Sequence, residues 1–107
     1  MKIIDELIEK EKPNKGLEIF CEEFAKDRIE ELSELLLCVN NADLTSAAKI
    51  VHKWKGFSAP YGFNYLEAMS KEIEVLAKQN NLDEIKVIAE KIEYYLNEKR
   101  RIISNGI

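Results

Sequence analysis

The chain has one histidine, His52, and the residues around it define the chemistry open to it. On a helix, Ala48 at i−4, Gly56 at i+4 and Ala59 at i+7 cover the same face, and all are small. Lys49 and Lys55 flank His52 at about 60° to either side, and Lys53 lies further round. From Leu44 through Leu66 there is no Asp or Glu, in a protein whose net charge is −4. An exposed imidazole unshaded by bulky groups and bracketed by ammonium groups suits close approach of an anion. Gly56 needs a reason, because a glycine inside a helix costs about 1 kcal/mol relative to alanine. It serves either close packing or a kink before Pro60, or it gives clearance to a group on His52 and a partner docking over it. On these residues alone His52 is either a solvated surface histidine or one that handles an anion, and the reaction has no name.

Other chemistries find less support. Cys21 and Cys38 fall in one predicted helix, about 25 Å apart along it, too far for a disulfide. One histidine and two distant cysteines make no four-ligand zinc set, so no metal site is expected. There is no phosphate-cradling glycine loop, no second acid–base pair of diagnostic spacing, and no nucleophile with a histidine of its own.

Five helical segments would position these residues. The first runs from about Ile3 to Glu11 and ends at the turn Pro13-Asn14-Lys15-Gly16. The second spans about Leu17 to Val39, with Leu17, Phe20, Cys21, Phe24, Leu32, Leu35, Leu36 and Val39 near helical spacing. The third starts after Asn41 or Asp43, either of which can cap it, and reaches about Ala59 before Pro60. The fourth covers about Asn64 to Gln79. The fifth opens with a capping-box arrangement at Asn81-Leu82-Asp83-Glu84 and frays by Ser104-Asn105-Gly106.

With Leu44 at zero, the apolar arc of the third segment is centred near about 290–310°, on Ile50, Trp54, Ala47 and Ser58. His52 falls at about 80°, which points it to solvent. Four long helices with short connections predict an all-α fold, an antiparallel up-down four-helix bundle over 17–103, with residues 1–12 as a short N-terminal capping helix. Residues 1–107 are expected to form a single domain. Apolar residues at 46%, charged residues at 34%, four Gly and two Pro fit such a bundle and leave little room for an all-β fold. The acidic balance argues against nucleic acid as a partner. No apolar run approaches the roughly 20 residues needed to span a bilayer, and the acidic N-terminus resembles no targeting peptide, so a cytoplasmic protein with no membrane association is expected.

The stretch Val51-His52-Lys53-Trp54-Lys55-Gly56-Phe57-Ser58-Ala59 resembles the signature of histidine-containing phosphotransfer (HPt) domains: His, two residues, Lys, Gly, a variable residue, then a small one. The likeness continues through Tyr61-Gly62-Phe63 and Leu66. Gly62-Phe63-Asn64-Tyr65-Leu66 is also similar to the phosphorylated domain of chemotaxis kinases. The resemblance implies a phosphocarrier without kinase activity of its own. His52 would take a phosphoryl group from the phosphoaspartate of a receiver domain, or from a kinase, and pass it to another receiver. Lys55 would neutralise phosphoryl oxygens with Lys53 or Lys49 assisting, Gly56 would give clearance, and Ala48, Lys49 and Ala59 would line the docking surface.

In the chemotaxis branch a carboxylate on the next helix orients the imidazole. The matching position here is Glu74, which is otherwise a solvated helix glutamate. No cofactor is implied, because the receiver would bring the magnesium ion. Implied partners are receiver domains and a hybrid sensor kinase; a monomer is expected, either free-standing or as one domain of a larger sensor kinase. Phe57, Pro60 and Trp54 depart from the family pattern. The alternative function is a helical module that binds a receiver or kinase and inhibits it without carrying phosphate.

Overall fold

Hydrophobic residues spaced at helical intervals become five α-helices in the computed structural model, which describes residues 2–105. They are α1 (Lys2–Lys10), α2 (Cys21–Asn40), α3 (Leu44–Phe57), α4 (Asn64–Lys78) and α5 (Leu82–Asn105). Helices α2 to α5 contact one another in a ring, each packed on its chain neighbours and α2 closed onto α5. The short connections make successive helices antiparallel, so the bundle is up-down. Among the described residues there is no strand, and no helix is long and apolar enough to cross a membrane.

The core is the inner stripe of each helix: Leu32, Leu35 and Val39 from α2, Ala47, Val51 and Trp54 from α3, Leu66 and Ile73 from α4, and Ile85, Ile92, Tyr95 and Leu96 from α5. Each large aliphatic side chain taken fully out of water contributes about 1.5–3 kcal/mol. Helix α1 buries Ile4 and Ile8 and packs on α5, where Tyr94 donates to Asp5 at 2.7 Å.

The helix ends refine several expectations. Residues Glu18–Phe20 form a 3-10 turn, and α2 begins only at Cys21. A 3-10 turn advances about 120° per residue, so Phe20, expected in the core stripe, is turned outward and is 50% exposed. Asp43 is the cap of α3, accepting from the Ser46 amide at 3.1 Å. Helix α3 stops at Phe57, and Ala59 belongs to a separate 3-10 turn, Ala59–Tyr61. Pro60 is accommodated in that turn, and its carbonyl accepts from the Asn14 amide at 2.8 Å. The capping box at α5 is half made: the Glu84 amide reaches Asn81 Oδ1 at 3.3 Å, whereas the Asn81 amide donates to Leu76 O, closing α4.

Gly62 has φ +83°, and a Cβ there would stand 2.7 Å from backbone atoms of Lys12 and Pro13. Glycine at this corner therefore lets the α1–α2 connection lie against the α3–α4 turn. Beneath it, the buried Lys99 donates to Glu11 at 2.5 Å and to the carbonyl of Gly62. Glu11 also accepts from the Tyr95 hydroxyl at 2.6 Å and from the Tyr65 amide at 2.7 Å.

Candidate functional site

His52 sits at mid-helix on α3, and its position follows from the core. Val51 and Trp54 are both fully buried, which turns the intervening His52 and Lys53 outward. The His52 side chain is 68% exposed. Its Nδ1 lies 2.9 Å from Glu74 Oε2 on α4. The other Glu74 oxygen lies 2.7 Å from Lys55 Nζ. One carboxylate therefore holds both groups of the His-x-x-Lys pair.

The tautomer follows from this geometry. The hydrogen bond from Lys55, and then that from His52, hold the Glu74 carboxyl below the ordinary glutamate range, against a smaller opposing effect of burial. An ionised carboxylate only accepts, so Nδ1 must carry the proton. In the neutral ring Nε2 then keeps its lone pair. Lys55 gives one of its three protons to Glu74 and retains two. An exposed imidazole, the carboxylate bound to its Nδ1 and spare ammonium protons meet on one surface.

Gly56 lies one turn beyond His52. Beyond the adjoining backbone of its own helix, a Cβ built there meets no atom within 4 Å, so nothing else in this chain packs against that position. Helix α3 also runs through Gly56 to Phe57 without interruption. Of the reasons open in the sequence, close packing finds no neighbour for Gly56 beyond its own helix. Ala48 and Lys49 line a shallow groove between α3 and α4 together with Leu44, Glu74 and Ala77. Lys49 is exposed, and Ala48 and Ala59 are half-buried, Ala59 beyond the end of α3.

Lys53 is placed elsewhere. Its ammonium pairs with Glu31 on α2, on the far side of α3 from Glu74. Glu31 also accepts from Trp54 Nε1 at 3.1 Å and from Arg28 Nε at 2.5 Å. The Arg28 guanidinium lies between the rings of Phe24 and Phe57, 4.5 and 4.6 Å from their centroids. Burial opposes ionisation of Glu31, but the donors Lys53, Trp54 and Arg28 outweigh it and lower its pKa. Sequence reasoning passed over Glu31. A signal for it existed: Glu74 lies 22 residues after His52, and Glu31 lies 22 residues before Lys53 across the preceding hairpin. Among the described residues no cluster of His, Cys, Asp and Glu could hold a metal ion. No protein-family model, curated protein or solved structure matches the chain.

Proposed function

We propose that the protein is a histidine phosphocarrier of a cytosolic two-component phosphorelay, taking a phosphoryl group on His52 and passing it to a receiver domain. The observation that carries this reading is the pairing of an exposed His52 with Glu74 through Nδ1, which leaves Nε2 free and outward. Nε2 attacks the phosphorus of a receiver's phosphoaspartate. The N–P bond forms as the P–O bond to aspartate breaks, and the aspartate leaves as a free carboxylate. Nδ1 keeps its proton throughout, and the positive charge that develops on the ring faces Glu74. Lys55, with two protons to spare, neutralises phosphoryl oxygens. Gly56 leaves room for the receiver, whose own acidic pocket and magnesium ion meet the acid-free surface of α3. The reverse sequence hands the group to the next receiver.

The test is a transfer assay with magnesium and a panel of phosphorylated receivers, comparing the protein with His52→Gln. Acid-labile, base-stable label on the protein and none on the variant is the expected outcome. Receivers that bind without ever labelling His52 would instead point to an inhibitory interaction module.

A further inference from the structure

Helix α3 is gripped from both sides by one carboxylate each. Glu74 on α4 takes His52 and Lys55, whereas Glu31 on α2 takes Lys53 and Trp54. At 100° per residue these two pairs project about 180° apart. Both carboxylates also stand at the same level of the bundle. Glu31 and Lys53 are equally far from the turn at Ala42, and His52 and Glu74 are equally far from Phe63.

Where His52 points depends on the rotation of α3 about its axis. A side-chain tip about 6 Å from the helix axis moves about 1 Å for each 10° of rotation. Such a movement is enough to break a hydrogen bond of 2.9 Å. The buried stripe Ala47, Val51 and Trp54 holds α3 against large rotations. The bonds to Glu31 are directional, and they are anchored in turn by Arg28, which is buried between two aromatic rings.

We infer that Glu31 is a positioning residue for His52: acting through Trp54 and Lys53, it sets the rotation of α3 that brings Nδ1 onto Glu74. Its significance for transfer rests on the phosphocarrier reading, but its effect on the imidazole does not. Glu31 touches neither His52 nor anything bound to it, and Lys53 serves as a tether to α2 rather than as a second phosphate ligand.

The test separates the two questions. Nitrogen-15 spectra of the His52 ring report which nitrogen carries the proton, with Glu74→Gln as the reference for a ring released from its partner. Glu31→Gln, and independently Trp54→Phe, which keeps an aromatic ring but removes the indole N–H, are expected to shift the ring signals part of the way towards that reference. Transfer from a saturating phosphorylated receiver should slow about three- to tenfold at unchanged half-saturation, the loss expected for one weakened hydrogen bond. Ring signals like those of the unaltered protein in both variants would overturn the inference. Should Glu31→Gln not fold, Lys53→Met decides, since it removes an exposed donor to Glu31 and leaves the core intact. If the unaltered protein takes phosphate from no receiver, the carrier reading fails, and the ring signals still judge Glu31.

Discussion

Lys55 and Glu74 are joined at 2.7 Å, and the same carboxylate reaches His52 at 2.9 Å, so the motif lysine and the histidine are linked through a residue of the neighbouring helix. Lys55 holds the Glu74 carboxylate ionised, and on the proposed phosphocarrier reading it would also offer protons to phosphoryl oxygens. Lys55→Ala is expected to slow phosphoryl uptake about tenfold or more, the scale of losing one charge-assisted contact. The melting temperature should stay within a few degrees, because the lysine side chain is one-third exposed. An unchanged uptake rate would remove Lys55 from the site.

Gly56 offers a test in which stability and function move in opposite directions. Beyond the adjoining backbone of its own helix no atom lies within 4 Å of a Cβ there, and leucine favours helix over glycine by about 0.8 kcal/mol. Gly56→Leu should therefore raise the urea midpoint while blocking transfer from a receiver. Normal transfer by a stabilised Gly56→Leu protein would defeat the clearance argument.

The two carboxylates that hold α3 predict how stability depends on pH. Both Glu31 and Glu74 are held below the ordinary glutamate value of 4.5 in the folded chain. A carboxyl whose pKa is lowered by folding stabilises the native state above its unfolded value, and that contribution fades as pH falls through the folded value. Stability should be insensitive to these groups near neutrality and decline as pH drops below about 4.5. Glu31→Gln and Glu74→Gln should each flatten that decline in urea titrations. Parallel curves for variants and the unaltered protein would show that neither carboxylate is held down.

Lys99 and Glu11 are both buried, with side-chain exposures of 6% and 7%. Removing one partner of such a pair leaves the other charge uncompensated and costs about 3–5 kcal/mol. Lys99→Met is expected to lose stability on that scale, read as a fall in the denaturation midpoint. Adding Glu11→Gln should recover part of the loss, because the amide oxygen can still accept from the Tyr65 amide without a stranded charge. A double variant no more stable than Lys99→Met would refute this account.

Ala42 ends α2 in the left-handed region, at φ +57°, where the Asp43 amide closes onto Cys38 O at 2.8 Å. A side chain with a Cβ is strained by about 1–2 kcal/mol there, partly offset by the greater freedom that glycine loses on folding. Ala42→Gly should stabilise the protein by about 0.5–1 kcal/mol, a rise of a few degrees in Tm. A lower Tm would show that the alanine methyl is better packed than its backbone is strained.

Much of this was legible in the sequence because it depends on periodicity and local geometry. Helical spacing of apolar residues located the five helices, and the wheel of α3 placed His52 outside its apolar arc, as its exposure in the structure shows. The resemblance to chemotaxis kinases, and not spacing, singles out Glu74, and the structure sets it 2.9 Å from His52, because an antiparallel pair with a short turn brings residues equidistant from it to one level. Tertiary packing decided what local patterns do not encode. The turn at Glu18–Phe20 shifted the helical phase, so Phe20 faces out while Cys21 faces in. Lys55 is expected beside His52 and Lys53 further round as an assisting cation, yet one bonds to α4 and the other to α2, because each lies on the side of α3 facing a different carboxylate. Glu11 and Lys99 are separated by 88 residues, and no spacing rule pairs them. Only the closing of the bundle buries both, and a charge so buried is stable only where its partner is buried beside it.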